Sequence, residues 1–280
     1  MQPWELLGKT TTPAGDDMTL MRRAGEYVIF ASGKSLMSSR MHGSEEALAT
    51  LGCEHLGRRR APVVLVGGLG MGFTLRATLD HVPADATVVV AELVPGVVTW
   101  NEGPLGALAA HPLKDPRVRV EVGDVAAVIQ RAPGRFDAML LDIDNGPDAF
   151  TTSANAWLYG NSGVTALRHA LRDQGVVTVW SAWEDRKFEQ RLRWAGFAVD
   201  VVPALEVDGH AVSSTQVRRA VAGGDLSLAA RLLGRRYFAT GQVVPGDGRG
   251  RGLGFPTANL AGIPPRKLLP PDGVYAVRVE

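Results

Sequence analysis

The sequence predicts an α/β fold, a doubly wound and mostly parallel sheet carrying a small amino-terminal β-rich extension. Three observations predict it. Apolar runs at residues 63–66, 87–92, 117–122, 138–142 and 176–181 alternate with helical segments, and continuous Val-rich runs of this kind describe parallel strands covered on both faces. The first run enters Gly67-Gly68-Leu69-Gly70-Met71-Gly72, and acidic residues close the runs that follow. With 280 residues, 45% of them hydrophobic, the chain has core material for one large domain or two ordinary ones.

Residues 1–60 are expected to form the extension. Short extended stretches at 18–22 and 26–31 precede a helical pattern from Ser44, where Ala47, Leu48, Leu51 and Leu56 recur at near-helical spacing. Ser44 followed by Glu45 and Glu46 reads as a helix start. Residues 61–207 carry the five runs and, after a turn at Gly196, a sixth strand over 198–202. A helical linker is expected over 208–236, capped by Ser213 and Ser214 and carrying Ala229, Leu232 and Leu233 until Gly234 ends it. Residues 237–280 read as strands at 237–244 and 273–280 flanking a Gly/Arg/Pro-rich loop.

Thirty Lys and Arg against 29 Asp and Glu leave a formal charge of +1, so nothing global recruits nucleic acid or an acidic membrane. The local clusters Arg58-Arg59-Arg60 and Arg235-Arg236 read as solvated edges. The single cysteine, Cys53, excludes an internal disulfide framework and a zinc site built from several thiolates; cytoplasm is the expected compartment. Met1-Gln2-Pro3-Trp4-Glu5 lacks a basic region followed by an apolar core, and no apolar run approaches the about 18 residues that span a bilayer. Neither an export signal nor a membrane segment is expected.

A strand that runs into Gly68, Gly70 and Gly72 and then a helix brings backbone N–H groups to where a nucleotide can approach with no Cβ in the way. The spacing is G-x-G-x-G, not the dinucleotide G-x-G-x-x-G, and a plain tight turn is the alternative reading. Glu92 ends the next strand about 20 residues on, where a carboxylate can accept from ribose hydroxyls. Asp124 follows the third strand and is placed to accept from an adenine amino group; Asp142 and Asp144 follow the fourth. One acidic strand end by itself is most simply a helix cap. Four on one edge of a parallel sheet, the edge where ligands bind, point to a site.

These residues, with Gly43-Ser44-Glu45-Glu46-Ala47-Leu48, resemble the spermidine synthase family over about residues 1–203, in the class I methyltransferase fold. The resemblance implies an adenosyl sulfonium ligand: decarboxylated S-adenosylmethionine for aminopropyl transfer, or S-adenosylmethionine itself. Gly68, Gly70, Gly72, Glu92 and Asp124 would bind it, with Asp142 or Asp144 holding and deprotonating an attacking amine. Glu46 and Tyr159 would line the acceptor side; an aromatic core position is the alternative for Tyr159. A homodimer is implied by the resemblance alone. The chain departs from the family in having Asp142-x-Asp144 followed by Asn145 where Asp-x-x-Asp is usual, and Ser44 where a tyrosine is usual. The fold also normally ends with a seventh, antiparallel strand beside the fifth. Either residues 209–212 supply a stub of it, or the fifth strand keeps an open edge.

The second motif, Gly250-Arg251-Gly252-Leu253-Gly254-Phe255-Pro256-Thr257-Ala258-Asn259, can turn backbone donors toward phosphates, and Thr257 and Asn259 offer oxygens to a hard cation such as Mg²⁺. The string resembles riboflavin kinase. Ser213 to Arg218, Leu232 to Tyr237 and Leu269 to Tyr275 extend the likeness to bifunctional flavokinase/FAD synthetases. It implies Mg-ATP and riboflavin as ligands, with Gly252, Gly254, Thr257 and Asn259 at the nucleotide and metal. It also implies a β-barrel longer than the residues that remain, with a catalytic carboxylate beyond Glu280, so residues 237–280 are expected to be an incomplete barrel without kinase activity. The leading expectation is a transferase acting on an unidentified acceptor. The alternatives are a non-catalytic adenosyl-ligand-binding module and a function carried by the riboflavin kinase segment.

Overall fold

A computed structural model describes residues 3–143, 157–181, 184–246, 254, 258–264 and 267–279. The chain divides into two compact units, Gln2–Val199 and Asp200–Glu280.

The first unit opens with an antiparallel meander of four strands, β1 (Glu5–Thr11), β2 (Asp17–Arg23), β3 (Glu26–Ala31) and β4 (Lys34–Ser38). Glycines at positive φ, Gly15, Gly25 and Gly33, sit in its three turns. Helix α1 (Gly43–Cys53) follows, and here the expected start is corrected. His42 occupies the N-cap with no side-chain bond to a helix N–H, and the Ser44 hydroxyl donates instead to Glu45 Oε2 at 2.7 Å.

Next come β5 (Val63–Gly67), α2 (Phe73–His81), β6 (Thr87–Glu92), α3 (Pro95–Glu102), β7 (Val118–Val122), α4 (Val125–Gln130), β8 (Phe136–Leu141), α5 (Asn161–Ala170), β9 (Leu171–Val179) and α6 (Arg186–Trp194). The five strands form one parallel sheet in the order β7-β6-β5-β8-β9. Successive side chains point to opposite faces, so Val64, Val66, Val88, Val90, Ala138 and Leu140 meet α1, α2 and the meander. Leu65, Val89, Ala91, Met139 and Leu141 meet α4 and α5 on the other face. Burial on both sides is why these strands read as unbroken apolar runs.

At the amino end of the sheet the buried Asp137 carboxylate accepts from Arg59 Nη1 (2.6 Å), Arg172 Nη1 (2.7 Å) and the Val63 N–H (2.8 Å). Arg59 is therefore a partner of a buried carboxylate, where the sequence suggests a solvated edge.

The expected sixth strand at 198–202 does not form. Val201 and Val202 are 52% and 65% exposed, and an apolar run without a hydrogen-bonded neighbour is not a strand. Among the described residues β9 pairs with β8 alone and keeps an open edge. The stub at 210–211 pairs with its own neighbour instead: β10 (Glu206–Val207) and β11 (His210–Ala211) form a hairpin about Asp208 and Gly209, both at positive φ.

The second unit contains that hairpin, α7 (Ser214–Ala222), α8 (Leu226–Leu233), β12 (Gln242–Val244) and β13 (Asn259–Ala261). Ser213 caps α7 by accepting from the Gln216 N–H, Asp225 caps α8 by accepting from the Leu228 N–H, and Gly234 ends α8 at φ 65°. Its small core joins Ala220, Val221 and Ala229 to Leu226, Tyr237 and Leu268. The strand expected at 237–244 is reduced to β12, and residues 273–279 form none. No helix among the described residues is long and apolar enough to cross a membrane.

Candidate functional site

The strand order reverses at β5, with β6 leaving to one side and β8 to the other. A crevice opens at the carboxyl ends of the strands at such a point, and the turn after β5 is the glycine loop. Gly68 takes φ 87°, and a Cβ there would run into the Asp142 carbonyl oxygen. Gly72, at φ 85°, caps α2, and its Cβ would lie 2.8 Å from Asn101 Oδ1. Both positions therefore need glycine for conformation and for room. At Gly70 the nearest side chain is the Met37 thioether of β4, whose methyl lies 2.9 Å from where a Cβ would stand.

Glu92 ends β6 and is 7% exposed. Its Oε2 accepts from the Leu69 N–H at 2.9 Å and its Oε1 from the Val94 N–H at 2.8 Å, so the carboxylate ties the glycine loop to the start of α3. Burial pushes its carboxyl up, opposed by the N–H groups of Val94 and Leu69. Asp124 ends β7, half-buried, and caps α4 by accepting from the Ala126 N–H at 2.8 Å.

Asp142 follows β8. Its N–H donates to the Gly67 carbonyl at 2.9 Å, and its Oδ2 accepts from the Thr74 hydroxyl at 2.7 Å. Burial pushes its carboxyl up to about 6; the Thr74 bond opposes that shift and the nearby Glu45 charge adds to it. Glu45 is 7% exposed. Glu46, the residue singled out in the sequence, points to solvent and pairs with His42 Nδ1 at 2.7 Å. The buried face of α1 is Glu45, Leu48, Ala49, Gly52 and Cys53, a spacing of i, i+3, i+4, i+7, i+8. The sequence contains that stripe, but the alternative stripe through Ala47 and Leu51 has equal apolar content.

The structure thus brings Gly68, Gly70, Gly72, Glu92 and Asp142 together, with Asp124 on the same sheet edge. It adds Glu45, Thr74, Met37 and Asn101. Tyr159 is buried against Val164, Phe188 and Leu192, its ring edge-on to Phe188 at 5.3 Å, a core position. Cys53 is buried, and burial pushes its thiol up to about 12, which removes it as a nucleophile. Asp144, Gly252 and Thr257 lie outside the described residues. Gly254 is exposed at φ 77°, and Asn259 is exposed on β13 opposite Val244. Among the described residues no three His, Cys, Asp or Glu side chains are grouped to hold a metal ion.

Comparison with known proteins separates the two units. The riboflavin kinase family model matches residues 233–280. The bifunctional riboflavin kinase/FMN adenylyltransferase of Pseudomonas fluorescens is 47% identical over 85 residues, 30% of this chain and 27% of that protein. The Bacillus subtilis enzyme of the same name is 46% identical over 80 residues, 29% of this chain and 25% of that protein. The chain spans only about a quarter of the length of these curated relatives. Among solved structures, a spermidine synthase in complex with the transition state analogue AdoDATO superposes with a TM-score of 0.53 at 17% identity, covering 68% of this chain and 63% of that one. Spermidine synthase from Thermotoga maritima gives 0.52 at 19% identity, covering 68% and 61%. At such identities the likeness is one of fold. The chain therefore joins a spermidine-synthase-like α/β fold over most of its length to a carboxyl-terminal segment that matches the riboflavin kinase family.

Proposed function

We propose that the first unit binds an adenosyl sulfonium, decarboxylated S-adenosylmethionine or S-adenosylmethionine, and transfers its aminopropyl or methyl group to an amine. The observation that carries this reading is Asp142, a buried carboxylate beside the glycine loop, held by Thr74 and pushed up to about 6. A carboxyl of that kind is ionised at neutral pH yet more basic than an exposed aspartate, which suits a group that takes a proton from an ammonium as it becomes a nucleophile. The amine lone pair forms a bond to the carbon attached to sulfur. The carbon–sulfur bond breaks with its electron pair left on sulfur, and the amine's proton passes to Asp142. Gly68 and Gly70 are half-buried, and their backbone can approach the nucleoside with no side chain of their own in the way. Glu92 offers its remaining lone pairs to ribose hydroxyls while its two backbone bonds persist, and Asp124 stands toward the base. Glu45 adds negative charge facing the cationic substrates.

Calorimetric titration with methylthioadenosine, the nucleoside product of aminopropyl transfer, tests this reading. Saturable binding lost in Glu92→Ala, and transfer lost in Asp142→Asn with binding kept, are the expected results. Transfer that survives in Asp142→Asn removes that residue from the reaction, and absence of saturable methylthioadenosine binding removes the aminopropyl reading.

The second unit supports a separate reading, carried by its match to the riboflavin kinase family: a binding segment for Mg-ATP and riboflavin. Titration with those ligands tests it, and riboflavin phosphorylation by the pure protein would extend it to catalysis.

A further inference from the structure

Helix α3 carries a polar residue that group transfer leaves unused. Asn101 is 1% exposed. Its Nδ2 donates to the Val97 carbonyl one turn earlier at 2.9 Å and to the Gly70 carbonyl of the glycine loop at 2.9 Å. Its Oδ1 is buried with no partner among the described residues. The amide cannot be turned over to relieve that oxygen, because it would then face two carbonyl oxygens. Leucine is close in size and has no acceptor to orphan, so for packing alone the amide is a poor choice. What the amide supplies is a donor directed at Gly70.

That donor completes a grip on three consecutive loop residues by the corner between β6 and α3. The Gly68 N–H donates to the Ala91 carbonyl at 2.9 Å, the Leu69 N–H donates to Glu92 at 2.9 Å, and the Gly70 carbonyl accepts from Asn101. Peptide bonds here are trans, so tying the Gly70 carbonyl to α3 fixes the whole Gly70–Met71 plane and turns the Met71 N–H away from α3. The turn then closes through the Gly72 N–H, which donates to the Leu69 carbonyl at 2.8 Å. The helix supplying the donor is itself wedged against the meander. A Cβ on Gly8 would meet the Trp100 ring, and one on Gly96 would meet Thr10.

The geometry points to Asn101 as a positioning residue that holds the glycine loop preformed for an adenosyl nucleoside. The identity of the ligand rests on the group-transfer reading above; the hold on the loop rests on the hydrogen bonds alone. A loop already in its bound conformation loses less freedom on binding, so the effect is read in affinity.

The test uses three variants of the full chain. Asn101→Leu removes both donors, whereas Asn101→Ser keeps a hydroxyl that bonds back to the Val97 carbonyl but falls short of Gly70. Ile129→Ala, in the other core layer, controls for lost stability. Methylthioadenosine affinity and hydrogen exchange at the Gly72 amide are measured in each. Asn101→Leu and Asn101→Ser are expected to weaken binding about tenfold or more and to speed Gly72 exchange by a similar factor, with Ile129→Ala leaving the affinity within about twofold. Unchanged affinity and exchange in Asn101→Ser overturn the proposal, and so does an equal loss of affinity in Ile129→Ala. Should Asn101→Leu fail to fold, Asn101→Ser carries the test. If the wild-type chain does not bind methylthioadenosine, the aminopropyl reading falls. Gly72 exchange then still decides the hold on the loop, faster in Asn101→Ser if it exists and unchanged if it does not.

Discussion

Two valine-bearing stretches, one in each unit, behave in opposite ways. Val64, Val66, Val88, Val89 and Val90 in β5 and β6 are all 0% exposed, whereas Val274, Val277 and Val279 are 103%, 77% and 86% exposed. Both stretches have strand-like sequences. The first lies between two layers that exclude water from each face; among the described residues the second has no layer against it and forms no ladder. An apolar extended sequence becomes a strand only when neighbours take its N–H and C=O groups and a facing layer takes its side chains.

Substitutions sharpen or break this contrast. The largest effect is expected from Phe136→Ala or Leu140→Ala, both fully buried, which should lower stability by about 3–5 kcal/mol; chemical denaturation of the sheet unit reads it. Val277→Ala belongs at the other end of the scale, within about 0.5 kcal/mol, and a comparable loss there would show that residues 273–279 are packed in a way the exposures do not reveal.

Asp142→Asn comes next, with the opposite sign. A carboxyl whose folded value, about 6, lies above the ordinary 3.8 binds more protons folded than unfolded in between. Its contribution to stability is fully present below the unfolded value and is lost as pH rises through about 6. At neutral pH the substitution is therefore expected to stabilise the first unit by about 3 kcal/mol, with the gain shrinking toward pH 4. Thermal unfolding at several pH values measures it; a gain that does not change with pH would show that Asp142 is not the titrating group. If Asp142 takes the proton, transfer by the wild type should rise with pH through about 6.

Smaller losses than those of the sheet core are expected from helix caps. Asp124→Ala removes the acceptor of the Ala126 N–H, and Ser213→Ala that of the Gln216 N–H, each costing about 1 kcal/mol. The first should appear in the unfolding of the sheet unit and the second in that of the carboxyl-terminal unit. Hydrogen exchange across both units resolves the two responses, and a Ser213→Ala effect spread through β5 and β6 would show that the units unfold together.

Much of the sheet is legible in the sequence because its causes are local. Each of its five strands overlaps its predicted run, and β3 has the predicted bounds. The turn of the glycine loop is also local, with Gly68 and Gly72 at positive φ, whereas the atoms that would crowd a Cβ there, on Asp142 and Asn101, come from elements distant in sequence. Glu92 was found by spacing, but its two backbone bonds, to Leu69 and Val94, were not, since a carboxylate's partners depend on how the following turn folds back. The failures at 198–202 and 273–279 share one cause, an extended apolar pattern without a partner strand.

What the sequence determined by itself is the parallel α/β layout and the edge of the sheet on which the acidic residues gather, because both follow from side-chain period and from turns within a few residues. Only the tertiary structure decided which carboxylates are buried. Glu45 and Glu46 are adjacent in sequence and about 100° apart around α1, and the packing of that helix on α2 and β8 buries the first and leaves the second in water. Asn101 was decided in the same way. It lies 31 residues from Gly70, and no local pattern marks it, since its partners are a loop carbonyl that only the folded sheet brings within reach and a helix carbonyl that any residue there would face.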